Sequence, residues 1–217
     1  MRKVTTNDLF EISVPYLKDL FDGVIYPWNV LPKLKEYMNG LKHQGFVEYA
    51  EGVYVGENVK IHPSAVFEGP AIIGGGTEIR PNAYIRGYVI TGENCVIGNS
   101  TEIKNSILFN KVQVPHYNYV GDSILGNYSH MGAGSICSNL KSDGTNVVIH
   151  ADINIETSMR KLGAILADHA DIGCNCVLNP GTVVGKNTSV YPLNSLRGVI
   201  PADCIVKSPQ NIVKKNK

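Results

Sequence analysis

The stretch Pro115-His-Tyr-Asn-Tyr-Val-Gly-Asp122 is followed directly by Ser123-Ile-Leu-Gly-Asn-Tyr-Ser-His-Met-Gly-Ala-Gly-Ser-Ile-Cys-Ser-Asn139. The second part has a six-residue rhythm, with Leu125 and Met131 at equivalent positions. The first part interrupts that rhythm and presents a histidine, two tyrosines and an aspartate. The combination predicts a rigid repeat scaffold that is interrupted here by a functional site, with His116 as the base of that site.

A six-residue repeat extends in both directions from this stretch. Only Thr91 breaks its apolar series, which is Val55, Ile61, Phe67, Ile73, Ile79, Ile85, Thr91, Ile97, Ile103 and Phe109. The same spacing returns later in another phase, at Leu166, Ile172, Leu178, Val184, Val190 and Leu196. A sustained period of six matches neither a helix nor simple strand alternation, and it is typical of a parallel β-helix. The predicted fold class is therefore all-β, a parallel β-helix of hexapeptide repeats over residues 51–205, with a core along its axis.

Two shifts of phase predict insertions into the coil. One lies around residues 116–122, and the longer one covers residues 139–163. The longer insertion contains two alternating runs, Val147-Val-Ile-His150 and Ile153-Asn-Ile-Glu-Thr157, which predict a small hairpin. A long loop on a rigid repeat scaffold is usually functional. The last residues, 206–217, are basic and are predicted to form a frayed tail.

The N-terminal residues 1–50 have a helical pattern instead of the six-residue one. Helical spacing relates the apolar residues Leu31, Leu34, Tyr37, Met38 and Leu41. Pro32 is compatible with such a helix only near its start. We expect this short helical arm to pack its apolar stripe against the β-helix, with Trp28 as a packing anchor.

The composition excludes several classes of function. The chain has 217 residues and a formal net charge of +1, which argues against nucleic acid or an anionic membrane as a partner. It contains no apolar run of about 18 residues, and its first residues lack the apolar core of a secretory signal. The five cysteines are scattered apart from Cys174 and Cys176, so we expect reduced thiols, no metal site and a cytoplasmic location.

Several motifs resemble a known family. Pro115-His-Tyr-Asn-Tyr-Val-Gly-Asp122, Met131-Gly-Ala-Gly-Ser135 and Ser138-Asn139 resemble the acetyltransferase domain of the bifunctional glucosamine-1-phosphate acetyltransferase/N-acetylglucosamine-1-phosphate uridylyltransferase. Arg160-Lys-Leu-Gly-Ala164 is closer still to the archaeal sugar-1-phosphate nucleotidylyltransferase/acetyltransferases. The similarity covers residues 55 to 200. It implies that the coil is left-handed, that the protein is a homotrimer and that acetyl-CoA binds along the coil as cosubstrate, with no metal required.

The resemblance also implies catalytic and acceptor-binding residues. His116 matches the catalytic base, and Asn139 matches the asparagine that supports it. Arg86, Lys104 and Tyr119 match residues that hold the sugar phosphate. The chemistry of these residue types agrees, because a histidine accepts a proton near neutral pH. Arg86 and Lys104 are also one coil turn apart, so they are expected to stack and clamp a phosphate.

Other positions bear on the cosubstrate and on departures from the family. Ala133 matches a small residue that lines the acetyl-CoA site, and Cys174 falls where a serine contacts this cosubstrate. Backbone N–H groups around Met131-Gly-Ala-Gly134 are expected to stabilise the thioester oxyanion. His130 stands where the family has a substrate-contacting asparagine, and Thr145 stands where it has a loop lysine. We hypothesise that His130 lines the acceptor pocket and sets which acceptor is used.

The expected function is acetyl-CoA-dependent N-acetylation of an amino-sugar phosphate such as glucosamine-1-phosphate. No Gly-rich nucleotide signature precedes residue 50, so we expect a stand-alone acyltransferase without a nucleotidyltransferase domain. Two alternatives stay open. The first alternative is a non-catalytic β-helix subunit that partners a separate nucleotidyltransferase. The second is a sugar O-acetyltransferase that uses the same histidine. The intact His116 and Asn139 favour an enzyme, whereas Thr145 and His130 favour the non-catalytic subunit slightly.

Overall fold

A computed structural model describes residues 4–41 and 45–215 of the chain. The chain winds into a parallel β-helix whose coils stack along one axis and present three flat faces. A short helical segment precedes the coils. The predicted repeat architecture is therefore confirmed, while the left hand of the coil is an expectation that rests on the resemblance.

Each face of the coil is one sheet of parallel strands. The first face contains Val53–Val55, Ala71–Ile73, Val89–Thr91, Ile107–Leu108, Ile124–Leu125, Ala164–Leu166, Thr182–Val184 and Val199–Ile200. The second face contains Lys60–Ile61, Glu78–Ile79, Val96–Asn99, Gln113–His116, His130–Met131, Asp171–Ile172, Ser189–Val190 and Cys204–Ser208. The third face contains Val66–Glu68, Tyr84–Arg86, Glu102–Lys104, Tyr119–Gly121, Ile136–Cys137, Val177–Leu178 and Ser195–Leu196.

The core of the coil is a set of aliphatic columns along the axis. Side chains alternate across a strand, so the middle residue of a three-residue strand on the third face points inward. Ile85 pairs with Ile103, and Ile103 pairs with Val120, so their side chains stack on successive coils. All three are fully buried. Stacking removes apolar area from water continuously, and each buried methylene contributes about 0.8 kcal/mol.

The change of phase in the repeat comes from a shortened corner, not from an insertion. Ile85 pairs with Ile103, 18 positions later, whereas Ile103 pairs with Val120, 17 positions later. The shortened corner contains Asn105 and Ser106, which connect the third face to the first. The interruption predicted around residues 116–122 is therefore wrong, because this stretch supplies regular strands of the second and third faces.

One residue of the predicted axial series consequently points outward. Thr91 pairs with Leu108, so Leu108 occupies the axial position that the six-residue step assigns to Phe109. The Phe109 ring instead stacks on Phe10 of the N-terminal arm, with 5.1 Å between ring centroids. The missing residue at the preceding corner is the physical reason for this difference.

The N-terminal arm is made of short helices that cover the first face. They are the α-helices Thr6–Leu9, Lys18–Phe21 and Leu34–Leu41 and the 3-10 helices Pro15–Leu17 and Pro27–Lys33. Pro32 lies in the 3-10 helix just before the last α-helix, in agreement with its predicted position near a helix start. Trp28 is 1% exposed and stacks on Tyr26, so its predicted role as a packing anchor is confirmed.

The outward side chains of the first face form an apolar stripe. The stripe consists of Ile72, Ile90, Ile107, Ile124, Ile165, Val183 and Val199, all of which are buried. The arm and the insertion after the third-face strand Ile136–Cys137 pack in one cluster with this stripe. The predicted hairpin of the insertion is confirmed, because Val148–His150 pairs antiparallel with Asn154–Glu156.

Antiparallel strands lie at the two ends of the coil. Val47–Ala50 pairs with Val53–Val55 at the N-terminal end, within the range predicted to be a helical arm. Asn211–Lys214 pairs with Cys204–Ser208 at the C-terminal end, so this part of the predicted frayed tail forms a strand. Within residues 4–41 and 45–215, no helix has both the length and the apolar character needed to cross a membrane.

Candidate active site

Outward side chains on successive coils form columns with a spacing of about 4.8 Å. On the third face, the pairing register places Arg86, Lys104 and Gly121 in one outward column. Arg86 and Lys104 therefore stack on adjacent turns, as their separation in the sequence predicts. Gly121 adds no side chain to the column, and the Tyr119 hydroxyl and the Asn139 amide occupy the space beside it.

The two cations of this column differ in their partners. The Nε atom of Arg86 donates a hydrogen bond to Oε1 of Glu102 over 2.7 Å, and this bond raises the pKa of the guanidinium. Within the described residues, the Lys104 side chain has no hydrogen-bond or ion-pair partner. Lys104 is therefore the cation of the column that is available to a ligand, with Arg86 held beside it by Glu102.

Tyr119 and Asn139 lie over Gly121 and are linked by hydrogen bonds. Nδ2 of Asn139 donates to the Tyr119 hydroxyl over 3.2 Å and also to the carboxylate of Asp122. A Cβ atom on Gly121 would lie 2.5 Å from the Tyr119 hydroxyl, so a larger residue there would displace the Tyr119 side chain from this position. Burial, followed by the charges of Glu102 and Asp122, raises the pKa of Tyr119. Tyr119 is therefore a neutral phenol near pH 7 that can donate a hydrogen bond.

Asp122 anchors this end of the third face. Its side chain is nearly buried, and its Oδ1 atom accepts a hydrogen bond from Nδ2 of Asn105 over 2.7 Å. Asn105, Asp122 and Asn139 are equivalent corner positions on three successive coils. The carboxylate thus joins two asparagines into a ladder that fixes the corner between the third face and the first.

His116 lies at the opposite edge of the third face, where the second-face strand Gln113–His116 ends. Its side chain is exposed and forms no hydrogen bond within the part of the chain that the structure describes. An imidazole without a protein partner can accept a proton from a bound ligand. The geometry is therefore compatible with the predicted role of a base.

A buried asparagine fixes the backbone around His116. The backbone N–H of His116 donates to Oδ1 of Asn118 over 3.1 Å. Nδ2 of Asn118 donates to the carbonyl oxygens of Gly132, over 2.8 Å, and Ser135, over 3.3 Å. Asn118 therefore ties the His116 segment to the Gly132–Ser135 turn of the next coil. Sequence reasoning did not single out this residue, although it lies inside the motif that contains His116.

His116 and Asn139 do not meet within one chain. They lie at opposite corners of the third face, and the strand Tyr119–Gly121 runs between these corners. At about 3.3 Å per residue, corners five residues apart are roughly 16 Å from each other. The predicted support of His116 by Asn139 is therefore not found within the single chain, where Asn139 contacts Tyr119 and Asp122 instead.

The residues matched to the cosubstrate stack above His116. Gln113 pairs with His130, and His130 pairs with Asp171, so Ala133 lies one coil above His116 and Cys174 lies one coil above Ala133. The Gly134 N–H donates to the His116 carbonyl oxygen over 3.0 Å, which holds these two corners together. The Cys174 side chain is exposed. This corner therefore presents the predicted base, Ala133 and Cys174 in one column.

The backbone N–H groups at this corner are only partly free. The Gly132 N–H donates to the Ile172 carbonyl oxygen, and the Gly134 N–H donates to that of His116. These two glycine N–H groups are therefore occupied within the chain, and the expected oxyanion donor of this stretch stays a prediction. Among residues 132–134, all of which the structure describes, only the Ala133 N–H donates to no protein acceptor.

His130 lies on the second face and is paired with an aspartate. Its Nδ1 atom is 2.9 Å from Oδ1 of Asp171, and this hydrogen bond is the largest cause of the lowered pKa of Asp171. Because Lys104 and Tyr119 lie on the third face, His130 does not join them within one chain. Its predicted place in the same acceptor pocket is therefore not found in the single chain.

The inserted loop also contains a lysine that contacts Thr145. Nζ of Lys141 donates to the Thr145 hydroxyl over 2.5 Å and lies 3.4 Å from Oδ2 of Asp143. A cation thus lies next to the position where the family has its loop lysine. No cluster of three or more His, Cys, Asp or Glu side chains suited to a metal ion is found among the described residues.

Comparison with known proteins identifies relatives of the chain. The family model of the GMPPB C-terminal domain matches residues 67–162. Bifunctional protein GlmU of Methanococcus maripaludis is 34% identical over 200 residues, which cover 88% of this chain and 46% of the relative. The bifunctional sugar-1-phosphate nucleotidylyltransferase/acetyltransferase of Sulfurisphaera tokodaii is 34% identical over 182 residues, which cover 76% of this chain and 43% of the relative. The chain thus spans about half the length of the curated relatives it matches, and the predicted resemblance is confirmed.

The solved structures that are similar to this chain are more distant. One of them is a variant of AntD, an N-acyltransferase from Bacillus cereus, in complex with dTDP-4-amino-4,6-dideoxyglucose and coenzyme A. It is 20% identical, covers 80% of this chain and 91% of its own, and has a TM-score of 0.48. A likeness at this level carries no argument about the function of this chain.

Proposed function

From the premise that this chain is a relative of the bifunctional sugar-1-phosphate nucleotidylyltransferase/acetyltransferases, we propose that it transfers the acetyl group of acetyl-CoA to the amine of an amino-sugar phosphate. Glucosamine-1-phosphate is the acceptor that we propose first. The relative from Sulfurisphaera tokodaii is named as an acetyltransferase as well as a nucleotidylyltransferase, and the similarity to it extends over 76% of this chain.

The observation that carries this proposal is the column of His116, Ala133 and Cys174 at the corner between the second and third faces. The exposed imidazole is at the bottom of the column, and a small residue with an unused N–H lies one coil above it. A thioester carbonyl that approaches Ala133 would therefore lie within a few ångströms of the base, since adjacent coils are about 4.8 Å apart.

The reaction needs one proton acceptor and one oxyanion donor. His116 takes a proton from the acceptor ammonium, so that the free amine attacks the thioester carbon. A C–N bond forms, and the carbonyl oxygen gains negative charge to which the Ala133 N–H donates a hydrogen bond. The tetrahedral intermediate then collapses and the C–S bond breaks; the attacking nitrogen gives up its second proton, the departing CoA thiolate takes up that proton, and the proton held by His116 passes to solvent. The products are an amide and CoA.

The acceptor phosphate is assigned to the third face. Lys104 offers a free ammonium, Arg86 lies one coil below, and the neutral Tyr119 phenol donates from above Gly121. Cationic and hydroxyl donors that converge on one spot suit a phosphate ester. This assignment places the phosphate on the third face, and the amine then approaches a His116 that a neighbouring copy supplies.

We also propose that the working unit is a homotrimer with sites between neighbouring copies. His116 and His130 lie at the second face and its edge, whereas Lys104 and Tyr119 lie on the third face. A cyclic arrangement in which the second face of one copy meets the third face of the next would bring both sets to one cleft. Light scattering at micromolar concentration that gives the mass of a monomer would contradict this arrangement.

The experiment is a thiol-release assay with acetyl-CoA against a panel of amino sugars, their 1-phosphates and N-acetylated sugars. We expect CoA release only with a free amine, and fastest with a phosphorylated amino sugar. Release with N-acetylated sugars would instead identify an O-acetyltransferase. Absence of release with every acceptor would contradict the proposal and favour a non-catalytic subunit.

A further inference from the structure

The column of the third face continues beyond the proposed acceptor site. Val120 pairs with Cys137, Cys137 pairs with Leu178, and Leu178 pairs with Leu196. The residues that follow these positions therefore stack above Lys104 in the order Gly121, Ser138, Asn179 and Arg197. Glu68 lies below the cationic pair of Arg86 and Lys104 in this column, and a third cation, Arg197, lies four coils above Lys104.

A cleft of about 290 Å³ opens beside the upper part of this column. The inserted loop forms one wall with Lys141, Asp143 and His150, and the coils form the other with Asn179 and Arg197. The cleft is therefore lined mainly by polar and charged groups, which suits a polar ligand better than an apolar one.

Arg197 is the cation of the cleft that has no partner. Lys141 is held inside the loop by Thr145 and Asp143. The Asp143 carboxylate accepts hydrogen bonds from the N–H and the hydroxyl of Thr145, which are the largest causes of its lowered pKa. Within residues 4–41 and 45–215, the Arg197 guanidinium has neither a hydrogen bond nor an ion pair. Its charge is consequently not neutralised by the protein.

We propose that this cleft is a second anion subsite, in which Arg197 binds a phosphate ester of a ligand whose other end reaches the transfer site. This inference rests on the proposed function. A guanidinium presents a planar fork that matches two phosphate oxygens, and it keeps its charge at all relevant pH values. The amide Nδ2 of Asn179 already donates hydrogen bonds to Ser195 and Leu196. Arg197 is therefore the residue of this wall that would bind the negative charge of the phosphate.

Distance along the column separates this subsite from the acceptor phosphate. Four coil steps of about 4.8 Å place Arg197 roughly 19 Å from Lys104. A single sugar phosphate held at Lys104 does not reach that far. The phosphate at Arg197 therefore belongs either to the 3′-phosphate of coenzyme A or to a nucleotide attached to the acceptor, and both sources present the same chemistry to the guanidinium.

The test measures binding and needs no turnover. Titration calorimetry of the full-length chain is carried out with CoA, 3′-dephospho-CoA and UDP, for the wild type, Arg197→Ala and the control Lys207→Ala. Lys207 is exposed on the strand Cys204–Ser208 of the second face, so its removal changes the net charge equally without touching the cleft. Circular dichroism verifies that each variant is folded.

We expect Arg197→Ala to weaken the binding of either CoA or UDP about 10-fold, as loss of a charge-assisted hydrogen bond does, and to leave the binding of 3′-dephospho-CoA unchanged. If the variant binds CoA more weakly and 3′-dephospho-CoA as tightly as the wild type does, the phosphate at Arg197 is the 3′-phosphate of the cosubstrate. If the variant binds UDP more weakly, this phosphate belongs to a nucleotide on the acceptor. The inference is overturned if Arg197→Ala binds all probes like the wild type, if Lys207→Ala shows the same loss, or if the wild type binds none of them. A chain that binds CoA through Arg197 but releases no thiol with any acceptor would contradict the proposed function alone.

Discussion

The first and third faces of the same coils differ in what they present outward. Both supply inward aliphatic side chains to one axial core. On the first face the outward residues, such as Ile90 and Ile107, are also apolar and are buried by the chain's own arm. On the third face the equivalent outward positions include Arg86 and Lys104, which stay open. The comparison teaches that the repeat builds a uniform scaffold, and that the outward positions alone decide whether a face is covered or binds a ligand.

The largest expected effect lies at the edge of the open face. His116→Ala removes the proposed base and should lower the turnover number about 10²–10⁴-fold, with little change in acetyl-CoA affinity or in the free energy of unfolding. Steady-state kinetics and calorimetric titration with CoA measure the two quantities. His62→Ala is the matched control, because His62 is an exposed histidine far from this corner whose ring forms a hydrogen bond with Ser64. Near-normal turnover in His116→Ala would remove His116 from the mechanism.

The covered face should respond in stability and not in catalysis. Ile107 is fully buried between the first face and the arm, so Ile107→Ala should lower the free energy of unfolding by about 2–5 kcal/mol. Chemical denaturation measures this change. The control is Val66→Ala on the third face, where the side chain is 54% exposed and the expected change stays within about 0.5 kcal/mol. Equal losses in the two variants would mean that the arm does not bury the first face.

A smaller effect is expected from the open face itself. Lys104→Ala should raise KM for a phosphorylated amino sugar about 10-fold, because a charge-assisted contact to the phosphate is lost. KM for the unphosphorylated sugar should not change. Lys60→Ala, which removes an exposed lysine of the second face, serves as the control. If both sugars lose equally, Lys104 does not contact the phosphate.

The smallest effect concerns one thiol. Burial raises the pKa of Cys95 and of Cys137 to about 12, so these thiols stay neutral and unreactive near pH 8. Cys174 is exposed, and we expect it to be the thiol that reacts rapidly with a disulfide reagent in the folded protein. Saturating CoA should slow this reaction severalfold, and Cys174→Ser should abolish the fast phase. A fast phase that CoA does not slow would place the cosubstrate away from Cys174.

The axial core could be predicted from the sequence because its signal is local and repeated. Each inward position demands an aliphatic residue, so a step of six finds Ile73, Ile79 and Ile85 without knowledge of the fold. The shortened corner at Asn105 and Ser106 could not be found in this way. A fixed step cannot detect one missing residue, and Phe109 looks the same whether it faces the axis or the arm.

The sequence gives candidate residues for the site, but it does not show which of these residues contact each other. The spacing of Arg86 and Lys104 predicted their stacking, which the strand register confirms, whereas the role of the motif around His116 stays a prediction. The partners of Asn139 depend on which corner of the coil each residue occupies, and that information is absent from a list of motif positions. The hydrogen bonds of Asn118 to the next coil are hidden for the same reason.

The antiparallel strands at the two ends of the coil affect how copies of the molecule meet. A stack of parallel strands ends in unpaired backbone groups, onto which the coil of another molecule could add in register and start a fibre. Val47–Ala50 at one end and Asn211–Lys214 at the other run against the direction of the coil and occupy the edges of the first and second faces. The third face has no such terminal strand within the described residues. Resistance to end-to-end polymerisation is thus built into one end of the first face and the opposite end of the second, and the third face depends on its short edge strands and on the charge of Glu68.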